Sequence, residues 1–386
     1  MDVLAQDEID YPGLIANIQM NQAIQEQWLA NNPINSERAI ITIPVVVHVV
    51  YNSSTQNLSD AQILSQIDVL NEDYRHLNQD ASNTPSVWQS IAADCQIDFC
   101  LAQRDPNGNP TSGIERIHTS TTSWSTNDQV KKSSTGGADA WPKNDYLNIW
   151  VCNLGGGVLG YSSFPSTNQS TAWKDGVVIG YKYFGDTLTV QSPYDLGRTT
   201  THETGHWFGL YHIWGDDNGA CSGSDNINDT PNQASEHYNC PNFPTISCNN
   251  GPNGDMYCNY MDYTDDNCMN MFTAGQKAKM ISVLNTTRSA IKTSMGCAGT
   301  GIKPIENDFN VSLFPNPAST YLQVIINNTS ITNLQVSVYN VLGNLVQTNE
   351  LTNDTTLDLS TFADGVYFVE LKSAGYISTR KIIVQR

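Results

Sequence analysis

Three histidines and a glutamate recur at fixed spacing in the string HETGHWFGLYH. On a helix, residues four apart project from one face, so His202 and His206 can present their imidazoles to one metal ion, with Glu203 beside it. Gly209 can adopt a positive φ and end the helix, which lets His212 approach as a third ligand. Three protein ligands leave one coordination position open for water, as in catalytic rather than structural zinc sites.

Such a site would hydrolyse a carbonyl compound. Zinc would lower the pKa of its water toward about 7, and Glu203 would pass the water's proton to the leaving amine. The alternative is a set of histidines that merely decorate an amphipathic helix, and the spacing of the glycine and the third histidine argues against it. The remaining histidines lack such partners and are expected to be ordinary core or surface residues: His48, His76, His118 and His237.

Strands that alternate with helices are expected to position this motif. The run AIITIPVVVHVVY is dense in β-branched residues and predicts a buried strand, after which Ser59 can cap a helix. We predict further strands at 97–103 and 146–152, an active-site helix at 192–208 with Asp195 in its first turn, and a last helix at 273–293 capped by Thr273. This order implies a sheet layered with helices.

The 386 residues exceed the roughly 100 to 200 of a typical domain, so more than one folded unit is expected. Residues 1–36 are polar, with a weak helical pattern at 15–29, and we interpret them as an N-terminal arm or propeptide remnant. The catalytic domain should span 37–298. After a linker at 299–308, short alternating strands at 309–386 predict a small β-sandwich.

Composition favours an exported protein that does not bind nucleic acid. Charged residues make up only 15% of the chain, and a net charge of -19 would repel phosphate backbones. No run of about 18 apolar residues occurs, so no transmembrane segment is expected. The first residues lack the pattern of a signal peptide, so an exported chain would have been trimmed at its N-terminus.

Nine cysteines without a CxxC pair favour disulfides over a zinc or iron-sulfur site. Five of them fall between 221 and 268, in a stretch rich in Gly, Asn and Asp. A loop-rich stretch of that length needs disulfides or ions to hold it. The odd count leaves at least one thiol unpaired.

Together with the string NYMDY at 259–263, the histidine motif resembles that of the metzincin clan of zinc peptidases. Within the clan, CNYMDYTDDNCMNMFTAGQ and SDNINDTPN are similar to bacterial secreted members of the pappalysin family, a likeness that covers 37–297. It implies an α+β zincin fold: a twisted mixed sheet, active-site and backing helices, and a loop-rich lower subdomain. It also implies that Met261 forms a hydrophobic floor under the metal and that Tyr263 stabilises the transition state. From the residues alone, these would be a core methionine and an aromatic neighbour.

The same resemblance implies how the lower subdomain is held. It pairs Cys221 with Cys248 and Cys240 with Cys268, and Cys258 is a candidate free thiol. No partner is assigned to the other cysteines, Cys95, Cys100, Cys152 and Cys297. A structural calcium ion could be bound by the oxygen atoms of Asp225, Asn228 and Thr230, with a plain Asx turn as the alternative.

A secreted zinc-dependent endopeptidase is the function these residues favour, with protein or peptide substrates lying extended along an edge strand at 158–165. Some pappalysins place a carboxylate before the cysteine that matches Cys268 and prefer Arg or Lys after the scissile bond. Asn267 stands there in this chain, which puts that preference in doubt. Relatives often inhibit themselves with a propeptide cysteine, yet no cysteine precedes Cys95, so that segment has been removed or another group serves.

The C-terminal module resembles the sorting domain of the type IX secretion system of Bacteroidetes, through the strings LFPNP, NVLG, GVYFV and KIIV. The likeness implies that the secretion machinery is a partner, and that the protein is secreted or on the cell surface of a Bacteroidetes-type bacterium. A generic sandwich that binds substrate or carbohydrate is the alternative for this module.

Two rival functions stay open. One is a non-catalytic secreted binding protein in which zinc and calcium only organise the fold, against which the intact Glu203 and its neighbouring ligands argue. The other is metal-dependent hydrolysis of a non-peptide amide or ester. The natural substrate, the route of activation and the oligomeric state cannot be read from the sequence.

Overall fold

The structure is a computed structural model that describes residues 2–32, 39–187, 189–299, 311–326, 334–351, 355–373 and 376–386. The chain divides into two compact units, Met1–Thr300 and Gly301–Arg386. Apart from Gly299, the predicted linker lies outside the described residues, as do residues 33–36 of the predicted arm.

The first unit is built from helices and short strands, with the histidine motif on α4. In chain order the elements are α1 (Asp2–Asp10), α2 (Leu14–Asn31), β1 (Ile41–Tyr51), α3 (Asp60–Tyr74), β2 (Ile97–Leu101), β3 (Ile114–His118), β4 (Leu147–Cys152), β5 (Gly160–Ser162), β6 (Val177–Gly180), α4 (Arg198–Trp207) and α5 (Ala274–Asn285).

The strands form one mixed sheet in the order β2-β1-β4-β6-β5, with β3 also paired to β1. All pairs are parallel except β5, which runs antiparallel to β6 at the edge of the sheet. The valines of β1 are fully buried because helices and loops cover both faces of the sheet. The predicted edge strand therefore exists, although only Gly160–Ser162 of it is a regular strand.

Two helix caps match the prediction. Ser59 accepts a hydrogen bond from the backbone N–H of Gln62 at the start of α3. Thr273 and Gln276 form a reciprocal capping box at the start of α5. The predicted extent of α5 was wrong, because the helix ends at Asn285 and only a short 3-10 turn at 289–293 follows.

The predicted start of the active-site helix was also wrong. Asp195 precedes α4, which begins at Arg198 after Gly197 with a φ of 76°. A buried carboxylate, that of Asp266, accepts hydrogen bonds from the N–H groups of Leu196 and Arg198. These contacts hold the turn before the helix, so α4 is only ten residues long.

Between α4 and α5 the chain is almost entirely irregular and is held by disulfides. Cys221 is bonded to Cys248, and Cys240 to Cys268, the two pairings that the resemblance implies. A third bridge, unassigned from the sequence, joins Cys100 and Cys297 across 197 residues. Three buried thiols are free, those of Cys95, Cys152 and Cys258.

The second unit is an all-β sandwich. Its strands are β7 (Val311–Phe314), β8 (Tyr321–Ile326), β9 (Leu334–Asn340), β10 (Leu345–Leu351), β11 (Thr355–Asp358), β12 (Gly365–Ser373) and β13 (Tyr376–Val384). They form a sheet in the order β10-β9-β12-β13 and a second in the order β11-β8-β7. Alternating aliphatic residues from both sheets share one core, including Val324, Val338 and Val369.

The α+β fold followed by a small β-sandwich is therefore confirmed. The sequence patterns missed β3, β6, β10 and β11: β6 has only four residues, and the other three consist mostly of partly or fully exposed positions. Among the described residues, no helix combines the length and apolar character that crossing a bilayer requires.

Candidate active site

Helix α4 ends in a Schellman motif that turns the chain toward the third histidine. Gly209 has a φ of 85°, its N–H donates to the carbonyl of His206, and the N–H of Leu210 donates to the carbonyl of Gly205. A side chain at Gly209 would be strained at this φ. The turn brings His212 back beside the helix.

The three histidines converge on one point. Ligand atoms of His202, His206 and His212 lie within 4.8 Å of one another. Nε2 of His206 is 3.1 Å from Nε2 of His212. All three rings are buried, and burial lowers the pKa of each, to about 4 for His202, so the rings are neutral and their lone pairs are available.

The other ring nitrogen of each histidine is fixed by an acceptor. Nδ1 of His202 donates to the carbonyl of Tyr260 (2.7 Å), and Nδ1 of His206 donates to the carbonyl of Leu210 (2.8 Å). Nδ1 of His212 donates to the carboxylate of Asp216 (2.9 Å). These acceptors require the proton on Nδ1, so each Nε2 is an acceptor.

Facing Nε2 lone pairs at 3.1 Å would repel each other without a shared cation. This donor set therefore fits zinc, which prefers imidazole nitrogens whose other N–H is hydrogen-bonded.

Asp216 is the functional candidate that sequence reasoning missed. It lies four residues after His212, in the acidic pair that follows Trp214 and Gly215. The chain there is not helical, so no periodic pattern predicts that its carboxylate meets the imidazole.

Glu203 is buried beside the histidines and faces the edge strand. A Cβ on Gly160 would lie 2.9 Å from Cγ of Glu203, so β5 passes directly against this side chain. Burial raises the pKa of the Glu203 carboxyl to about 8. At this pKa the carboxyl can both accept and donate a proton near neutral pH.

Met261 packs against α4, and Tyr263 lies beside His212. The sulfur of Met261 is fully buried beneath α4, and a Cβ on Gly205 would approach it to 2.5 Å. The hydroxyl of Tyr263 is 3.1 Å from Nε2 of His212. Burial raises the pKa of this phenol, so its proton is retained.

A buried ion-pair network anchors the start of α4. Arg198 Nε lies 3.1 Å from Asp73 on α3, and its guanidinium also pairs with Asp80. Asp73 in addition accepts hydrogen bonds from the hydroxyls of Thr201 (2.7 Å) and Tyr260 (2.9 Å). Helix α4 and the segment that contains Tyr260 are therefore both bound to the carboxylate of Asp73.

Two cavities open on either side of Glu203 along the edge strand. The first, of about 380 Å³, is lined by Ser162, Ser163, His206, Tyr211 and other residues. The second, of about 320 Å³, is lined by residues at the start of α4 and on the loop after the Met261 turn, among them Tyr194, Asp266 and Met269.

Asn267, predicted to affect specificity, does not line the second cavity. It is exposed, and its side chain carbonyl lies 3.1 Å from the sulfur of Cys240. Its neighbour Asp266 is the carboxylate that reaches the cavity.

The calcium candidates do not form an open ring of oxygen atoms in this structure. Asp225 accepts hydrogen bonds from the N–H of Ile227 (3.0 Å) and the hydroxyl of Thr230 (2.7 Å), which is an Asx turn, while Asn228 is exposed.

Two histidines set aside in the sequence have strong partners. His48 is fully buried between Glu115 and Asn148. His237 bridges Asp255 and Asp262.

Residues 126–285 match the model of the peptidase family described as pregnancy-associated plasma protein-A. An extracellular metalloprotease from Pyricularia oryzae is 35% identical over 269 residues, which cover 67% of this chain and 81% of that protein. The chain belongs to this family, the pappalysins. Another extracellular metalloprotease of the family, from Neurospora crassa, is 34% identical, with 71% of this chain and 86% of that protein covered.

Solved pappalysin structures share the catalytic fold. Mature mirolysin from Tannerella forsythia, in complex with a cleaved peptide, is 53% identical with a TM-score of 0.67, covering 69% of this chain and 100% of that one. A promirolysin mutant from the same organism is 48% identical with a TM-score of 0.70, covering 76% of this chain and 97% of that one.

Residues 312–385 match the model of a secretion system C-terminal sorting domain. Together with its extracellular pappalysin relatives, this domain identifies the chain as a secreted or cell-surface metalloprotease of the type IX secretion route of Bacteroidetes. The predicted zinc dependence, enzyme class and location are confirmed at this level.

Proposed function

We propose that this pappalysin is a zinc endopeptidase in which His202, His206 and His212 hold the ion and Glu203 handles the proton of the attacking water. The convergence of three neutral imidazoles beside a buried carboxyl, in a cleft bordered by an edge strand, carries the proposal. A bound zinc ion would supply the Lewis acid that activates water and polarises the scissile carbonyl.

Glu203 is suited to receive a proton and to return it. Its carboxyl is desolvated, which brings its pKa into the range where proton transfer in both directions is efficient near neutral pH. It would take the proton of the attacking water and deliver it to the leaving amine.

Tyr263 would donate a hydrogen bond to the developing oxyanion. Its hydroxyl borders both cavities and stays protonated, because burial and the nearby carboxyl of Glu203 raise its pKa. A fixed donor of this kind stabilises charge that forms only in the transition state.

The free side of β5 would hold the substrate as an added strand. Antiparallel addition is the more stable arrangement, and it would run the peptide from Ser163 toward Val158. Residues before the scissile bond would then lie over the first cavity, and residues after it over the second. This arrangement favours a polypeptide over a small amide or ester.

The test is peptide cleavage by the full zinc-loaded chain and its Glu203→Gln variant, with zinc content measured in parallel. We expect zinc content to stay the same and kcat/KM on internally quenched peptides to fall about 10³-fold. Glu350→Gln, in the sandwich unit, is the control and should retain full activity. Cleavage by Glu203→Gln at the wild-type rate would exclude this mechanism.

We also infer that α1 and α2, in the predicted arm, form a propeptide that covers the side of the cleft before the scissile bond. Leu14 and Ile18 are buried and line the same cavity as Glu203. The side chain of Asn17 accepts a hydrogen bond from Ser166, and that of Gln22 donates to Tyr211. Promirolysin matches a larger share of this chain, 76%, than mature mirolysin does, 69%.

The arm proposal is tested with Asn17→Ala combined with Gln22→Ala, which loosens the arm without touching the cleft floor. We expect faster peptide cleavage by the intact chain. An unchanged or lower rate would contradict the propeptide role.

A calcium ion at Asp225, Asn228 and Thr230 also remains a proposal, which rests on the run of oxygen-bearing side chains at 224–230 in the sequence. Terbium luminescence that is lost in Asp225→Asn would support it, and equal luminescence in both would exclude it.

A further inference from the structure

A buried group of charges borders the first cavity through Asp7 and Lys174. Lys131 Nζ is 2.9 Å from one carboxylate oxygen of Asp128, and Lys174 Nζ is 3.1 Å from the other. Lys174 also forms an ion pair with Asp7 of α1. The side chains of Lys131, Lys174 and Asp128 are at least nine-tenths buried.

Of the four charged side chains, residues outside the N-terminal arm supply two ammonium ions, those of Lys131 and Lys174, but only one carboxylate, that of Asp128. Lys131 is enclosed by the rings of Trp150 and Tyr161 and donates to the carbonyl of Lys174, so its charge is matched to Asp128 alone. The second carboxylate, from Asp7, belongs to the N-terminal arm. Without that arm, Lys174 would keep a buried charge that Asp128 only half compensates, and a buried unmatched charge is costly.

Lys174 lines the cavity that adjoins Glu203. Among the residues that the structure describes, no other lysine or arginine lines this cavity. The neighbouring Asp175 is already neutralised by Arg288 at 2.8 Å. An incoming anion would therefore be attracted to Lys174.

The backbone connects this lysine to the substrate strand. Ser163, which directly follows β5, donates its hydroxyl to the carbonyl of Lys174 and its N–H to the carbonyl of Gly176. Gly160 lies against Glu203, and Ser163 is three residues further along. At about 3.3 Å per residue, this distance corresponds to roughly two to four residues of an extended peptide.

We propose that Lys174 is a specificity residue that binds an acidic side chain of the substrate, two to four residues before the scissile bond, at the site that Asp7 occupies in the intact chain. The inference rests on the proposed peptidase function and deepens it. Asp7 and Tyr11, whose ring lies 5.0 Å from Lys174 Nζ, fill the place of the substrate in the latent form.

The experiment uses the full zinc-loaded chain and pairs of peptides that differ only in Glu or Gln at the second, third or fourth residue before the scissile bond. The readout is the ratio of kcat/KM for the two peptides of a pair. In Asp7→Asn, which frees Lys174, we expect about a tenfold preference for Glu at one of these positions. In the wild-type chain the preference should be weaker, because Asp7 competes.

Two further variants, made in the Asp7→Asn background, distinguish binding at Lys174 from a general effect of charge on cleavage. Lys174→Met should bring the ratio to about one. Lys132→Met is the matched control, since it removes a neighbouring lysine that contacts Trp173 and does not line the cavity, and it should keep the preference. Thermal melting and zinc content show that the variants fold. If Lys174→Met fails to fold, the comparison of Asp7→Asn with wild type decides.

A ratio near one at all three positions in Asp7→Asn, while both peptides are cleaved, would overturn the assignment of Lys174 and leave the peptidase function intact. A preference that survives in folded Lys174→Met would also overturn it. Failure of every variant to cleave either peptide would overturn the peptidase function, and this inference with it.

Discussion

The carboxylate of Asp216 accepts the Nδ1 proton of His212 at 2.9 Å, which fixes the third imidazole of the cluster after the chain has left its helix. His202 and His206 are oriented by the helix itself and by backbone carbonyls. His212 has no helix to orient it, so its position depends on a side chain.

Asp216→Asn should therefore weaken zinc binding by about 10- to 100-fold, the usual effect of losing a ligand's hydrogen-bond partner. Competition with a zinc chelator gives the affinity, and kcat/KM at saturating zinc should recover in part. Asp217→Asn is the control, because that carboxylate bonds only to backbone and side chain groups at 220–223. Equal zinc affinities in the two variants would refute the role of Asp216.

Gly205→Ala should destabilise the first unit by roughly 1–3 kcal/mol, because the new methyl group would meet the Met261 sulfur at 2.5 Å. Urea unfolding measures the loss. Made in a Met261→Ala background, the same change should cost clearly less, since the clashing atom is gone. An identical cost in both backgrounds would mean that the methionine is not the neighbour that requires glycine here.

Asp216 and Met261, the residues of the two predictions above, differ in how far the sequence alone could identify them. The three histidines could be found from the sequence because a helix and a short turn set their spacing locally, whereas the role of Met261 came only from the resemblance to the metzincins. The Asp73 network and the pairing of Asp7 with Lys174 join segments that are close only after folding, so no local pattern predicts them. Asp216 is near His212 in sequence, but the chain there is irregular and has no periodicity that would predict the contact. The same holds for the start of α4, where Asp266, 68 residues away from Arg198, sets the boundary.

The buried strand β1 and the capped helices α3 and α5 were predictable, since β-branched runs and capping residues act locally. Helix α1 was not, because one of its charged side chains has its partner far away in the sequence and another holds the turn that follows the helix. Its Asp7 pairs with Lys174, and its Glu8 accepts the N–H groups of Gly13 and Ile15.

His237 should make stability depend on pH. Burial lowers the pKa of this imidazole, but hydrogen bonds and charge interactions with Asp255 and Asp262 outweigh burial and raise it to about 9. Because the folded pKa exceeds the ordinary 6.5, the stabilisation is complete below about 6.5 and is lost as pH rises through about 9. At pH 6 the free energy of unfolding of the wild type should exceed that of His237→Gln by roughly 2 kcal/mol. Partial exposure of the imidazole to solvent keeps the difference this small, because water screens its charge.

The measurement is urea unfolding of both proteins from pH 6 to 10. The difference in free energy of unfolding should be constant below about pH 6.5, shrink between about 6.5 and 9, and level off above that. A difference that stays constant or grows with pH would show that His237 is not protonated in the folded protein.

Tyr263→Phe should lower kcat by about 10- to 100-fold with little change in KM, because the hydroxyl would act on the transition state and not on the bound substrate. Phenylalanine preserves the ring contacts with His212 and Trp214. Steady-state kinetics on one quenched peptide separates kcat from KM. A rise in KM at constant kcat would assign the hydroxyl to substrate binding instead.

Asp73→Asn should destabilise the first unit by roughly 3 kcal/mol, because Arg198 would lose the fully buried carboxylate at 3.1 Å. Tyr260→Phe removes one hydrogen bond to the same carboxylate and should cost only about 1 kcal/mol. Since the Tyr260 carbonyl orients His202, and Thr201 ties α4 to Asp73, the asparagine variant should also bind zinc more weakly. Urea unfolding and chelator competition test both effects. If Asp73→Asn lost stability but kept wild-type zinc affinity, the network would support the fold without positioning the metal site.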